Sequence, residues 1–203
     1  MKISLKRVLY ALIGILLVGI GIAFNSGGNL GNDPIGIVYD GFRNVLSLST
    51  EQLGTASNYV NIVLIILLFF VGRKYVNIGT LIYILPYGLF VNFGAMLYPH
   101  LFASEHLLVR SFSVMIGCLL LYIGVAIFIA VDIGLDPFTG LVMVICDKVK
   151  VEYKKTKVVF DILMILIGVL LGGRLGVITI ITALTAGPSI QYFSIIFKKH
   201  IKF

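Results

Sequence analysis

Tryptophan is absent from this chain of 203 residues, cysteine occurs twice, and only 12% of positions are charged. Each shortage excludes something. Cys118 and Cys146 both lie in apolar runs, and with no CxxC and no Cys/His ligand spacing they read as small buried hydrophobes. Soluble domains carry about a quarter charged residues, so this chain is not one. The three histidines, His100, His106 and His200, flank apolar runs, and neither HExxH nor GxSxG occurs. No Ser/His or paired-Asp arrangement is evident either. The chain is therefore not expected to be an enzyme, and no cofactor or metal is expected.

What is there is apolar. Hydrophobic residues fill 59% of the chain and the mean hydropathy is +1.07, the composition of an integral membrane protein. The runs 8–27, 57–72, 76–97, 111–131, 157–172 and 176–197 each approach the ~17–25 residues of a spanning helix. The first is longer than a signal-peptide core of about 7–15 residues and lacks a small-x-small cleavage site. The net charge of +7 does not point to nucleic acid, because the basic residues cluster beside the runs: Lys2, Lys6 and Arg7; Arg73 and Lys74; Lys148 to Lys157; Lys198, Lys199 and Lys202. With both termini cytoplasmic and six crossings, 13 of the 16 Lys and Arg face inward, the exceptions being Arg43, Arg110 and Arg174. A multi-pass protein of a bacterial plasma membrane is expected, with loop 98–109 outside.

One stretch occurs twice. Residues 14–34 read GILLVGIGIAFNSGGNLGNDP and residues 117–137 read GCLLLYIGVAIFIAVDIGLDP, identical at nine of 21 positions at an offset of 103. Each copy is an apolar run, an interruption, then Asp-Pro opening a shorter apolar run. A weaker match at offset 99 pairs Thr80 with Thr179, Leu85 with Leu184 and Gly88 with Gly187, with Asn92 and Gln191 conservative. Gly168 and Gly172 form a GxxxG pair suited to close helix packing.

The segments after Asp-Pro decide the topology. Were both to cross, eight spans would leave Arg73, Lys74 and Arg174 outside, again 13 against 3. Ten residues from Pro137 to Cys146 make only about 15 Å of helix, half of a hydrocarbon core about 30 Å thick. Pro34 to Leu46 contains Asp40 and Arg43. Both read as re-entrant half-helices, reached through irregular backbone that dips into the membrane, Asn25 to Asn32 in the first half. Such backbone is tolerated only where protein buries it or a wet cavity is lined by it. Three spans per half invert the second half relative to the first. The expected fold is all-α: one membrane domain over 1–203, six transmembrane helices plus two half-helices, and two inverted repeats, 8–97 and 111–197.

The pattern Gly124, Ala126, Gly134, Asp136, Pro137, with Thr179 and Gly187-Pro188 later, resembles the YczE/YyaS/YitT-type family of bacterial membrane proteins over essentially the whole chain. The resemblance implies a bacterial plasma-membrane location and no reaction. The first copy departs from it, with Ile35-Gly36 where the second has Phe138-Thr139.

Asp33 and Asp136 stand at helix N-cap positions with Pro34 and Pro137 next. That is a complete structural role, and two half-helix N-termini at the midplane also define a solute or ion site. Asp132, matched by Asn29, and Asp161, matched by Asn61 in the other half, are carboxylates within or near hydrocarbon and candidates for a coupling cation or proton. Their bland readings are hydration at the interface and pairing with Lys157. Asn92 and Gln191 are candidates too, set against plain interhelical hydrogen bonds. Because Asp132 adds a carboxylate only in the second half, charge is expected to matter more at Asp136 than at Asp33. The function expected is a transporter or channel for a small polar solute or ion, and the other class is an accessory scaffold or regulator. The expected partners are the lipid bilayer, the solute or ion and, in a homo-oligomer, copies of the chain; nucleic acid is not among them.

Overall fold

The computed structural model describes residues 4–102 and 104–201, so Lys2, Lys202 and Ala103 of the expected outer loop lie outside the described residues. Eight helices account for most of those residues, with no strand among them: α1 (Leu5–Gly28), α2 (Pro34–Val45), α3 (Leu53–Gly72), α4 (Ile78–Leu101), α5 (Leu107–Val131), α6 (Pro137–Val149), α7 (Tyr153–Leu170) and α8 (Val177–His200). Five are long and apolar enough to cross a membrane: α1, α3 with its flanking turns, α4, α5 and α8. The sixth expected span differs. Its helix α7 starts at Tyr153, ahead of the apolar run, and carries Lys154, Lys155, Lys157 and Asp161 in 18 residues. The Lys157–Asp161 ion pair offsets two of those charges within the helix.

Glycines bring together α1 and α5, the two most apolar of these five helices. A Cβ on Gly14 would sit 2.8 Å from the Gly124 carbonyl oxygen, and one on Gly21 would sit 2.6 Å from that of Gly117. Residue numbers fall along α5 as they rise along α1, so the pair is antiparallel. In lipid no hydrophobic effect drives helices together, and close backbone approach through small residues supplies the dispersion energy instead. Around this pair α4 packs on α1 and α8 on α5, while α2 lies against α7 and α3, and α6 against α3 and α7. Ile15, Val18, Val114 and Val131 fill the centre.

Several contacts recur between positions about 100 residues apart. Gly168 of α7 lies against Ile37 of α2, and Gly140 of α6 against Leu68 of α3. Of the GxxxG pair only Gly168 packs closely; Gly172 ends α7 in a left-handed turn at φ 86°. Polar contacts tie loop ends across the fold. Lys74 pairs with Asp147 at 2.5 Å, the Tyr75 hydroxyl donates to the same carboxylate at 2.6 Å, and together they hold Asp147 below the usual carboxylate range. At another corner buried Asp40 accepts from Arg43 at 2.8 Å and from the Arg174 amide at 3.0 Å, and Asn44 donates to the Gly172 carbonyl at 2.6 Å.

The glycine contact predicts its own test. Gly21→Leu forces the α1 and α5 backbones apart and is expected to cost about 1–3 kcal/mol of overpacking. Leu119→Ala, at a half-exposed position of α5, should stay within about 0.5 kcal/mol. Thermal unfolding in detergent compares the two; equal losses would show that the glycine contact contributes nothing special.

Candidate functional site

The first helix interruption is shorter than the sequence suggests, and the second, 132–136, falls where it is expected. α1 continues through Asn25, Ser26 and Gly27 to Gly28, so the irregular backbone is 29–33 rather than 25–32. Nothing between Asn25 and Gly28 forbids a helix, and the stop comes where Asn29 turns left-handed at φ 56°, ψ 34°. Asp132 ends α5 in the same way at φ 52°, ψ 51°. Asn and Asp are the non-glycine residues that best tolerate this conformation. The next helices begin at Pro34 and Pro137. Asp33 caps α2 by accepting the Ile35 amide at 3.3 Å, and Asp136 caps α6 by accepting the Thr139 amide at 3.0 Å.

Each interruption is completed by the other half of the chain. The Leu30 carbonyl accepts the Ile178 amide at the start of α8, at 3.1 Å, and Gly31, at φ 103°, packs on Gly176. Gly134 packs in the same manner on Asn77 and Gly79 at the start of α4. Arg110 closes the end of α1 by donating to the carbonyls of Gly28 and Asn29, both at 2.8 Å. Arg174 donates to the Asn29 side chain. Cations suit the negative end of a helix dipole.

Between the two short helices lies a cluster of tyrosines that the periodicity of the sequence conceals in an ordinary apolar face. Tyr83 stacks on Tyr87 at 5.0 Å, one helical turn apart on α4. Tyr87 meets Tyr39 of α2 at 5.9 Å, and Tyr39 lies edge-on to Phe138 of α6 at 5.8 Å. Asp33 and Asp136 are both within electrostatic range of Tyr39 and Tyr83. The Tyr39 hydroxyl donates to Asn61 Oδ1 of α3 at 3.2 Å. The Cys118 thiol, which the sequence assigns to packing alone, donates to Asn25 Oδ1 at 3.7 Å. Cys118 and Tyr122 share the electrostatic neighbourhood of Asp33.

Four buried polar atoms in this region have no partner in good hydrogen-bond geometry: Asn25 Nδ2, Asn32 Oδ1, Asn61 Nδ2 and Asp33 Oδ1, the last having the Gly36 amide nearby. Asn25 and Asn61 are fully buried, and Asn32 and Asp33 nearly so. An unpaired buried polar group costs about 1–3 kcal/mol, and four in one region is a concentration that packing alone does not explain. Asn25 and Asn32 were readable only as members of a polar stretch. Nothing in the sequence singles out Tyr39, Tyr83 and Tyr87.

The remaining candidates scatter. Asp136 is half-buried and Asp132 exposed, so the added carboxylate of the second half stands at a helix end, while the buried carboxylate with an unpaired oxygen is Asp33. Burial thus favours Asp33 over Asp136, against the expectation drawn from Asp132. Asp161 is paired with Lys157, and both are within electrostatic range of Asp33. Asn92 ties α4 to α3, accepting from the Gly54 amide at 2.7 Å and donating to Thr55 Oγ1 at 3.3 Å. Gln191 is exposed on α8. A cleft of about 210 Å³ near Ser26, Glu51, Tyr98 and Pro99 includes neither Asp33 nor Asp136.

At Asp136, capping and charge separate cleanly. Asp136→Asn retains an acceptor for the Thr139 amide and should leave thermal stability unchanged, because Asn ranks with Asp as a cap. Asp136→Ala should lose roughly 0.5–2 kcal/mol. An Asn variant as unstable as the Ala variant would show that the carboxylate charge itself holds this end of α6.

Comparison with known proteins adds a family and no activity. An uncharacterised protein of Haemophilus influenzae is 27% identical over 191 residues, covering 94% of this chain and 83% of the relative. The uncharacterised protein YyaS of Bacillus subtilis is 22% identical over 194 residues, covering 96% and 95%. No solved structure matches. Residues 5–195 match DUF6198, a family of unknown function, and with apolar helices, paired Asp-Pro interruptions and a YyaS relative in view, the chain belongs to that family of YyaS/YczE-type proteins.

Proposed function

We propose that this protein carries a small polar solute or ion across the bacterial plasma membrane, through a midplane site between the N-termini of α2 and α6. The observation that carries the reading is the set of unpaired buried atoms around Asp33. Two are acceptors, Asn32 Oδ1 and Asp33 Oδ1, and two are amide donors, Asn25 Nδ2 and Asn61 Nδ2. In hydrocarbon such groups require partners, and a bound solute with both donors and acceptors, or an ion with its water, supplies them.

The topology behind this reading is six crossings with α2 and α6 re-entrant, as two inverted repeats. Several contacts support it. Eight crossings would put Lys74 outside and Asp147 inside, yet the two are 2.5 Å apart. They would likewise separate Asn44 from Gly172, which are hydrogen-bonded. α2 spans 12 residues and α6 spans 13, about 18–20 Å at 1.5 Å per residue, short of a crossing. Inversion is supported by the antiparallel pairing of α1 with α5. Gly14 meets Gly124 while Gly117, its counterpart at offset 103, meets Gly21. An axis that exchanges two antiparallel helices lies across them, in the membrane plane.

In this mechanism Asp33 supplies the fixed negative charge, the α2 dipole stabilises it, and the tyrosine cluster walls the site from lipid. Asp161, already paired with Lys157, can exchange that partner for a coupling cation; Asp132, being exposed, is poorly placed to do so. Two measurements test the proposal. Glu105→Cys in intact cells should react with an impermeant thiol reagent and Lys154→Cys should not; an unreactive Glu105→Cys would overturn the six-crossing topology. Screening the purified protein against small metabolites and ions should find at least one that raises its melting temperature, and Asp33→Asn should abolish that rise while folding normally. Retention of the rise in Asp33→Asn would remove this carboxylate from the site, and the absence of any stabilising solute would favour an accessory or scaffolding role.

A further inference from the structure

The extensive helix–helix contacts are shared between the two halves of the chain with one exception. The packing of α1 on α4 has its counterpart in α5 on α8, that of α2 on α7 in α6 on α3, and that of α2 on α3 in α6 on α7. The packing of α3 on α4 has none to match it, because α7 and α8 barely touch. The difference is large. Of the apolar window of α4, 39% is buried, against 11% for α8.

The α3/α4 seam is held by specific bonds. Asn58 accepts the Gly88 amide at 3.0 Å, and Asn92 bonds both the Gly54 amide and Thr55. A Cβ on Gly88 would fall onto the Asn58 side chain and displace it from this bond. At offset 99 the α8 residues matching Gly88 and Asn92 are Gly187 and Gln191. In α7, where Asn61 and Asp161 set an offset of 100, the residues matching Thr55 and Asn58 are Lys155 and Val158. Gly187 has no atom within 4 Å of where its Cβ would be, and Gln191 is exposed. A glycine inside a helix costs about 1 kcal/mol relative to alanine, and an exposed Gln on a membrane helix is unfavourable. Neither is explained by the contacts of this conformation. Both are explained by a helix that approaches α8 as closely as α3 approaches α4.

We infer that α7 and α8 form a gate that is open in this structure, and that in a second conformation α7 closes on α8 over Val158–Gly187 and Lys155–Gln191. The element that moves is already marked. α7 ends in the left-handed Gly172 turn, whose carbonyl is held by Asn44 of α2, and its Lys157–Asp161 pair lies within electrostatic range of Asp33. Opening and closing the seam therefore shifts charge relative to the candidate site. Bistable packing of this kind, in which two halves take unlike states and exchange them, is how inverted repeats give alternate access to a fixed site. What the gate admits rests on the transport reading; the closure itself does not.

The test is cross-linking in native membranes, with Cys118 and Cys146 replaced by alanine and a protease site inserted between α7 and α8. Val158→Cys with Gly187→Cys, and independently Lys155→Cys with Gln191→Cys, should each give an intramolecular link that holds the cleaved fragments together on a denaturing gel. All four positions are exposed, so the variants have room to fold. Thr55→Cys with Asn92→Cys, side chains already in contact, is the positive control. Failure of both α7/α8 pairs where the control links would overturn the proposal. Links that form only between chains would also overturn it, assigning the Gly187 face to a contact between copies. Because no solute enters the experiment, a missing gate and a missing transport activity are told apart.

Discussion

On the proposed topology the helix breaks fall inside the membrane, where neither water nor lipid can satisfy the freed carbonyls and amides, and the fold is arranged around that constraint. The loss is made good by exchange between halves. Leu30 bonds to the start of α8, and Gly134 packs on the start of α4, so each interruption is finished by a helix from the opposite half. Asp33 and Asp136 satisfy the first amides on the far side of each gap. The arginines at 110 and 174 close the near side in the first half. The glycine approach of α1 to α5 brings the gaps within reach of these partners, since it fixes how the halves sit against one another.

Against that constraint the polar inventory of the interior divides into two kinds. Asp40, Asn92 and Asp136 all have protein partners, and their chemistry is accounted for by structure alone. The atoms around Asp33 are not accounted for in that way. It is this contrast, rather than the presence of carboxylates in a membrane, that localises a candidate site to one end of α2. The tyrosines add hydroxyls to a wall that is otherwise hydrocarbon, and with Asn61 they carry the polar lining from α2 to α3 and α4.

The parts of the fold written in local chemistry could be read from the sequence. Asp-Pro announces a capped helix start, and both short helices begin at the proline. The lengths of the apolar runs locate the long helices, though not their ends: α3 and α7 begin several residues before their apolar runs, because Lys154 is nearly as acceptable to a helix as leucine is and the Gly54 amide is held by Asn92. The stop at Asn29 was hidden for the opposite reason. Asn25, Ser26 and Gly27 look like loop, but their neighbours on α4 and α5 pack them as helix, and Gly27 faces Tyr98. The site was less legible than the fold. Asp33 announced itself, whereas Tyr39, Tyr83 and Tyr87 become a cluster only through the meeting of α2 with α4, which no local pattern encodes. Gln191 and Asn92 are alike in sequence and unlike in surroundings, because a helix packs against the Asn92 face of α4 and none against the Gln191 face of α8.

The bond from Ile178 to Leu30 has a consequence for biosynthesis. A donor and acceptor separated by 148 positions are made roughly 7–30 s apart at a translation rate of about 5–20 residues per second. On the proposed topology the first interruption sits in the bilayer during that interval with its carbonyl unsatisfied and Gly31 unsupported. Its α2 segment, with buried Asp40 still lacking the Arg174 amide, has reason to remain in the translocation machinery or near the water interface. Insertion of this protein is then not a sequence of independently settled hairpins. The earliest break in the chain is among the last parts to reach its final depth.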